Sequence, residues 1–377
     1  MRTMNTHYIY RMQRFILAAA MLVALVSCQR RPLEYFYKPD ARIILKVDWT
    51  DFPEKPTGMT VFLYKEGEAG RAFTTSDVDQ TELNITAGRY KLFVMNQSVT
   101  EIGGVTFKDM GTYETAEAVL SKVASKWYSI VKGVIASTEG DEDLPGVGVQ
   151  PDDIGIAIAQ EFTISEDEVK EFNYKYAKWR KGKGKQDGDG EAADDAPIDK
   201  DAPALRTISV VAHNVVSTMT IKIHFKNIHN LASVRASMEG LANSFLLTQG
   251  TTSRDEVAQL GENWTIHITS TDGKEGYVES TMSTFSFPGG VTSVANRNPK
   301  ANVFIVQALH SDRQTITTEV YDVGDKFKVS FPPKYRMHLD LEVGPIWLPN
   351  VDPAGDSGGF ITNVEDWEDL IDVVIPI

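Results

Sequence analysis

The sequence predicts an all-β protein built from two β-sandwiches in tandem. Apolar and polar residues alternate in short segments along most of the chain, and this period of two is typical of half-buried strands in antiparallel sheets. Gly and Pro residues separate these segments at short intervals, which favours sandwiches over βαβ units. The length of 377 residues is sufficient for two domains.

The composition argues against several classes of function. The chain has 38 Lys and Arg residues against 52 Asp and Glu residues, which gives a formal net charge of −14. Nucleic-acid binding requires clustered basic residues, so we expect no nucleic-acid partner. The chain contains one Cys, which excludes an intrachain disulfide bond and a Cys-based metal site.

The amino-terminal residues have the pattern of a secretory signal. Arg11 and Arg14 precede an apolar run at residues 15–26, which is too short to cross a membrane as a helix. The translation start is Met1 or Met12, and the sequence leaves this choice open.

The end of this signal resembles the bacterial lipoprotein box. Leu25, Val26 and Ser27 precede the only cysteine, Cys28, where such proteins carry their acyl chains. We therefore predict that residues 1–27 are removed, that Cys28 is lipidated (palmitate among the acyl chains) and that residues 28–40 form a tether. The alternative is an ordinary signal peptide that ends in a buried cysteine.

The first sandwich is expected over residues 41–213. Ile43, Leu45, Val47 and Trp49 lie on one face of the first strand. A tight glycine turn at 87–88 is expected to join two antiparallel strands. The predicted strands of this half span residues 41–49, 59–64, 81–86, 89–95 and 207–212.

Two segments have helical features, so we expect one or two short helices beside the strands. Ala116, Val119, Leu120 and Val123 have the spacing of an apolar helix stripe, so we predict a helix over 115–126. Residues 165–168 have the spacing of a capping box. Val169, Phe172, Tyr176 and Trp179 would then line a helix, but the alternation of Phe172, Tyr174 and Tyr176 is equally compatible with a strand.

Residues 181–203 have low complexity, with lysines first and acidic residues after them, and we expect a disordered, solvated loop. The boundary between the domains is placed near residues 213–217, and the second sandwich over 214–377. Its predicted strands span residues 218–225, 231–238, 244–247, 264–269, 284–287, 302–309, 315–321, 326–331 and 337–343.

No motif predicts catalysis. Residues 355–359 (Gly-Asp-Ser-Gly-Gly) match the nucleophile loop of chymotrypsin-like proteases, and His213 lies upstream as a possible base. Only 18 residues follow this loop, too few to complete that fold, so a glycine-rich turn explains the string. His224 and His229 lack a metal-binding spacing. We predict no catalytic residue, no metal site and no cofactor.

Five segments together resemble a known family. They are residues 47–53, 57–64, 86–96, 225–240 and 358–367. The family they resemble is an uncharacterised group of Bacteroidales lipoproteins, with a domain of unknown function, that is allied to fimbrillins and minor-fimbrium anchor subunits. The resemblance covers most of residues 28–377.

The resemblance implies two transthyretin-like β-sandwiches at the outer membrane, where fimbrial relatives assemble by strand exchange. The candidate exchange segment is apolar and lies at the end of the chain. This segment could also pair within its own domain. The basic pair Arg30 and Arg31 departs from the acidic residues that usually follow the lipidated Cys of surface lipoproteins. The residues of the candidate segment are Leu370, Ile371, Val373, Val374 and Ile375.

The expected function is that of a non-catalytic outer-membrane lipoprotein, exposed at the surface of the cell, that acts as a fimbrium-type anchor or accessory adhesion subunit. Its expected partners are the membrane, through the lipid, and fimbrial subunits, through strand exchange. The alternative is a surface lipoprotein that binds glycans or host proteins through its sandwich faces or loops. A hydrolase is the third hypothesis, and it would show either convergent carboxylates or Ser357 and a His within hydrogen-bonding distance.

Overall fold

The computed structural model describes residues 40–132, 146–184 and 201–352. It confirms the all-β class and the two sandwiches. Two α-helices accompany the strands, α1 (Lys126–Val131) and α2 (Glu166–Gly184), and the second is longer than the short helices expected. Among the described residues, no helix has both the length and the apolar character needed to cross a membrane.

The first sandwich has two sheets. One has the strand order β12-β1-β4 and the other β13-β10-β5-β2-β3, with β11 also paired to β5. In chain order, the strands of this half are β1 (Asp40–Asp48), β2 (Met59–Lys65), β3 (Arg71–Thr75), β4 (Gln80–Thr86), β5 (Gly88–Asn96), β6 (Val105–Lys108), β7 (Glu117–Leu120), β8 (Lys122–Ala124), β9 (Gly146–Gly148), β10 (Gly155–Ile158), β11 (Phe162–Ile164), β12 (Arg206–Val211) and β13 (His213–Asn214).

The second sandwich also has two sheets. One has the order β19-β20-β14-β24-β23 and the other β22-β21-β15-β18-β9-β8. The remaining strands are β14 (Ser217–Lys226), β15 (Leu231–Ala242), β16 (Ser244–Leu246), β17 (Thr251–Thr252), β18 (Glu256–Gly261), β19 (Thr265–Ile268), β20 (Glu275–Thr284), β21 (Val303–His310), β22 (Ile316–Asp322), β23 (Lys328–Ser330) and β24 (His338–Trp347).

Strand β1 shows how the alternation builds the first core. Ile43, Leu45 and Val47 are buried, whereas Lys46 and Asp48 on the opposite face are exposed. The strand pairs antiparallel with β4 and parallel with β12. The sheet is therefore mixed and not purely antiparallel, because β12 returns to the other edge of β1 from more than 150 residues away.

The expected hairpin at residues 87–88 is wrong, although both of its strands exist. β4 pairs with β1, and β5 pairs with β2, β10 and β11, so the two strands lie in different sheets. Leu83 and Ile85 of β4 and Tyr90 and Leu92 of β5 belong to the same buried cluster. The turn carries the chain from one sheet to the facing sheet, a choice that the local sequence does not encode.

The helix predicted over 115–126 is also wrong. These residues form β7 and β8, and β7 pairs with β6 and with β16. Ala116, Ala118 and Leu120 are buried with a period of two, while Val123 is half exposed. The apolar residues fit both periods, and the backbone pairing of β7 with β6 and β16 selects the strand. The helix begins only after Ser125, whose side chain caps it.

The open alternative at residues 165–179 is resolved as helix α2. Ser165 Oγ accepts a hydrogen bond from Glu168 N at 3.2 Å, and the Glu168 carboxylate accepts one from Ser165 N at 2.7 Å. These reciprocal bonds are those of a capping box. Val169 and Phe172 are buried in the core of the first sandwich, and Phe172 stacks on Tyr176.

Two further expectations are corrected. The expected disordered loop at 181–203 starts with the last residues of α2, and it ends with a buried Ala202 whose carbonyl accepts a hydrogen bond from Arg42. Residues 185–200 lie outside the described residues. Of the strand expected at 284–287, only Thr284 lies in a strand, as the last residue of β20. Ser286 has a φ of 68°, and this left-handed conformation interrupts the pairing.

A buried cluster connects the two halves of the chain. Phe62 and Phe93 of the first half pack in it with Phe245 and Phe285 of the second. β7 pairs with β16, and β9 pairs with β18 across residues 213–217. A domain boundary at residues 213/214 stays a prediction, and hydrogen-bonded strands connect the residues on either side of it.

Candidate functional site

The structure leaves most of the predicted site residues outside its described range. The lipidation site, the candidate exchange segment and the protease-like string therefore stay predictions. These residues are Cys28 with Leu25, Val26 and Ser27, then Leu370, Ile371, Val373, Val374 and Ile375, and residues 355–359. The described residues nevertheless contain a candidate interaction surface, on one side of the second sandwich.

The first part of this surface is a free strand edge. β14 pairs with β24 along its whole length, but β23 covers only His338, Leu339 and Asp340 on the other side. Within the described part of the chain, residues 341–347 of β24 have no strand on that side. An uncovered edge presents backbone N–H and C=O groups that an added strand can pair with.

An open depression of about 640 Å³ lies beside β23. Val294 and Val329 form part of its lining and also pack on the core of the second sandwich. Phe331 projects into it with 63% of its surface exposed. The depression therefore lies between β23 and the loop at residues 292–296.

An arginine holds the loop that forms one wall of this depression. The Arg297 guanidinium lies 4.2 Å from the centre of the Phe287 ring and donates two hydrogen bonds to Asn302 Oδ1, at 3.2 and 2.9 Å. The Asn302 amide in turn donates to the carbonyls of Glu239 and Gly240, both at 2.8 Å. Burial lowers the pKa of Arg297 from its usual value. The wall is thus fixed to β15.

The outer face of the sheet that contains β24, with the strand order β19-β20-β14-β24-β23, carries a row of aromatic rings. His267, Tyr277 and His224 lie on neighbouring strands β19, β20 and β14, and their ring centres are 4.7 and 5.6 Å apart. Lys222 Nζ lies 5.3 Å from the Tyr277 ring and 3.2 Å from Glu279 Oε2. The hydrogen bond with Glu279 raises the Lys222 pKa.

Trp347 extends this face at the end of β24. Its surface is 69% exposed, and it pairs across the sheet with Lys226, which forms an ion pair with Glu275. On the same face, Glu342 lies 3.7 Å from His224 Nε2. Aromatic planes beside charged hydrogen-bonding groups are suited to a ligand with both apolar and polar faces.

Two other His residues were considered in the sequence analysis, His213 as a catalytic base and His229 as a metal ligand. His213 is exposed on β13 and faces Asp51 at 3.4 Å, and His229 lies in a short 3₁₀ turn at Ile228–Asn230. Among the described residues, no group of three or more His, Cys, Asp or Glu side chains converges on one point where a metal could bind.

Sequence reasoning missed Trp347 and Tyr277. The strand predicted at 337–343 continues to Trp347, past Gly344 and Pro345, with a shift of register between Ile223 and Phe225 of β14. The strand Glu275–Thr284 was not predicted at all. Its alternation is regular, with Tyr277 and Glu279 outward and Val278 and Ser280 inward, and this pattern was the available signal.

A family model described as "Domain of unknown function (DUF5119)" matches residues 27–262, more than half of the chain. No protein of curated function matches. Among solved structures, a candidate adhesin from Bacteroides ovatus is 16% identical, with a TM-score of 0.49, and the match covers 86% of this chain and 98% of that one.

Two solved structures from Porphyromonas gingivalis are also similar. The fimbrial anchor protein Mfa2 is 9% identical, with a TM-score of 0.38, over 74% of this chain and 82% of that one. The tip fimbrial protein Mfa3, truncated at its C-terminus, is 10% identical, with a TM-score of 0.29, over 75% and 81% of the two chains.

Proposed function

The chain belongs to the DUF5119 family, and from this starting point we propose that it is a non-catalytic outer-membrane lipoprotein that acts as a fimbrium-type anchor or accessory adhesion subunit. It is held by acyl chains on Cys28 and exposed at the cell surface. Its contacts with fimbrial subunits are made by strand edges. The observation that carries the proposal is the edge of β24 at residues 341–347, which no strand of the described residues covers.

The lipid anchor is supported by the sequence around Cys28. The only cysteine of the chain follows Leu25, Val26 and Ser27 and an apolar run of signal-peptide length. Because two or three acyl chains bind a membrane far more firmly than one, such an anchor would be stable.

The strand-exchange mechanism is supported by the shape of the second sandwich. Residues 341–347 of β24 offer a row of backbone groups long enough to pair with a segment such as 370–375. An added strand here would continue the line of β23, whose Lys328 lies opposite Asp340. Backbone pairing would supply affinity, and contacts of alternate side chains would supply selectivity.

The anchor is tested by replacing Cys28. We expect the Cys28→Ala protein to leave the outer-membrane fraction, and the native protein to show the mass of a lipidated Cys28 at its amino terminus. A mature native protein with an unmodified Cys28 would refute the anchor.

Strand exchange is tested with engineered cysteines in the Cys28→Ser background, where no other thiol is present. One copy carries Glu342→Cys, and a second copy carries Val373→Cys or Val374→Cys, which sample both faces of the segment. We expect a disulfide between the two copies on mixing. Lys108→Cys on β6 replaces Glu342→Cys as the control and should give none.

The same variants test the alternative, in which the segment at 370–375 pairs within its own domain. If the chain that carries both Glu342→Cys and Val374→Cys forms only an internal disulfide, and mixtures of single variants form none, the segment pairs within its own domain and exchange is rejected. Lack of any disulfide also rejects pairing at this edge. Neither result depends on Cys28.

A second candidate function is glycan binding at the outer face of the same sandwich. It is favoured by Trp347 and by the row of His267, Tyr277 and His224, because sugar rings stack on exposed aromatic planes and their hydroxyls pair with charged groups. A glycan array with the full chain tests it. Tyr277→Ala and Trp347→Ala should abolish any signal that Phe73→Ala, on the distant strand β3, retains.

A further inference from the structure

Helix α2 carries an exposed aromatic side chain between lysines. Tyr174 is 72% exposed, the highest value among the large hydrophobic side chains of the described residues. Lys170 and Lys178 lie one turn before and one turn after it, and Lys175 is its neighbour in sequence. All of these are exposed, and residues four apart lie on one face of a helix. The buried Val169 and Phe172 lie on the opposite face.

The distal half of this helix is basic in an acidic protein. Residues 172–186 contain six Lys or Arg residues and no Asp or Glu, although the chain has 52 acidic residues. The acidic residues of α2 are confined to its first two turns, where Glu171 forms an ion pair with Lys175 at 2.6 Å. Lys178 and Arg180 are exposed beyond them.

The helix also has a defined direction relative to β1. Near its start, Glu168 forms an ion pair with Arg206, which pairs with Ile43 of β1. One and a half turns later, the Asn173 amide donates to the carbonyl of Asp40, the first residue of β1. The helix therefore runs against the direction of β1. Its basic half continues past the end of the sandwich from which the chain leads back to Cys28.

These observations place the basic, aromatic end of α2 on the side of the tether. Asp40 lies twelve residues after Cys28 in the sequence, so acyl chains on Cys28 lie within about 40 Å of the start of β1 even when the tether is extended. The eleven residues 174–184 add about 16 Å of helix in that direction. An anchored molecule can thus bring this end of α2 to the membrane surface.

We propose that the outward face of α2, formed by Lys170, Tyr174, Lys175 and Lys178, docks on the phosphate-bearing headgroups of an anionic lipid surface. The inference rests on the lipid anchor of the proposed function and assigns its orientation. Lysines pair with lipid phosphates, and a tyrosine is favoured at the boundary between headgroups and acyl chains. The sandwich would then stand with its second half away from the membrane.

Basic residues near the end of a helix have an ordinary role as well, because they interact favourably with its dipole. That role requires neither an exposed tyrosine nor a position beside the tether, and it would leave the protein indifferent to lipid. A measurement of lipid binding therefore separates the two explanations.

The test uses the mature full chain with Cys28→Ser, so that no acyl chain contributes. Its sedimentation with vesicles of equimolar phosphatidylglycerol and phosphatidylcholine is compared with vesicles of phosphatidylcholine alone. We expect binding to the anionic vesicles only. The paired change Lys175→Glu and Lys178→Glu should weaken it at least about tenfold, Tyr174→Ser should weaken it less, and the matched pair Lys108→Glu and Lys122→Glu should leave it unchanged.

Circular dichroism of the neutral pair Lys175→Gln and Lys178→Gln should show that the helix persists. This pair should also bind the anionic vesicles less tightly than the chain that keeps both lysines. Equal binding to neutral vesicles, an unchanged affinity of the Glu pair, or an equal loss in the control pair would each overturn the inference. So would a concentration-dependent dimer in light scattering that the Glu pair abolishes, because a second copy would then be the occupant.

The two proposals fail in different ways. If the native protein is lipidated but the Cys28→Ser chain ignores anionic vesicles, only the docking of α2 is rejected. If the chain binds anionic vesicles but Cys28 is unmodified in the native protein, the lipid anchor is rejected.

Discussion

The side-chain amide of Asn173 donates a hydrogen bond to the backbone carbonyl of Asp40 across 3.3 Å, which ties the middle of α2 to the first residue of β1. The same amide donates to Val169 O at 2.9 Å, within the helix. A residue from a 19-residue helix thus orients that helix on the sheet at the start of β1.

Replacing this amide should loosen the attachment of the helix. We expect Asn173→Ala to lower the free energy of unfolding by about 1–2 kcal/mol, because net hydrogen bonds contribute about 1 kcal/mol each. Urea denaturation measures the change. The exposed Asn84 on β4 provides the control, and Asn84→Ala should change stability by no more than about 0.5 kcal/mol. Equal effects of the two variants would contradict the assigned role.

The amino-terminal cap of α2 should make stability depend on pH. Hydrogen bonds from Ser165, with the nearby Arg206, hold the pKa of Glu168 below its usual value of 4.5. A lowered pKa means that the carboxylate stabilises the folded state above pH 4.5, and that this contribution is lost as the pH falls through the folded pKa. The advantage of the native protein over Glu168→Gln should therefore be constant above that pH and shrink below it. A difference that grows in acid would refute this sign.

The cluster shared by the two halves should make them unfold together. Phe245 is fully buried there against Phe285. We expect Phe245→Ala to cost about 3–5 kcal/mol and the native chain to unfold in one transition by fluorescence and by circular dichroism. Phe73→Ala, at an exposed site on β3, should cost far less. Two separate transitions in the native chain would show that the halves are independent.

The wall of the depression should depend on Arg297. Arg297→Ala removes the cation from the Phe287 ring and two hydrogen bonds from Asn302, so we expect a loss of about 1.5–3 kcal/mol, as for bonds to charged groups. Urea unfolding measures it, with the exposed Arg254→Ala as control. If strand exchange uses this wall, Arg297→Ala should also reduce the disulfide yield between copies.

Local patterns predicted the elements where one period dominated. The capping box at Ser165 and Glu168 and the alternation of β1 and β14 are encoded within a few residues, and the structure contains all three. The segment at Ala116–Val123 fitted two periods at once, so its state depended on a partner strand more than 100 residues away. The glycine turn after Thr86 was read correctly as a turn, but not as a crossing between sheets.

The sequence by itself determined the all-β class, the burial pattern of the individual strands and the presence of a lone cysteine after residues that resemble a lipobox, because periodicity and motifs are local. Only the tertiary structure decided which strands pair, that no described strand covers residues 341–347 of β24 on one side, that Tyr277 and Trp347 share one face, and that α2 is tied to the first residue of β1. These features depend on contacts between distant residues, whose loop-closure entropy is offset only by the burial and pairing of the assembled fold.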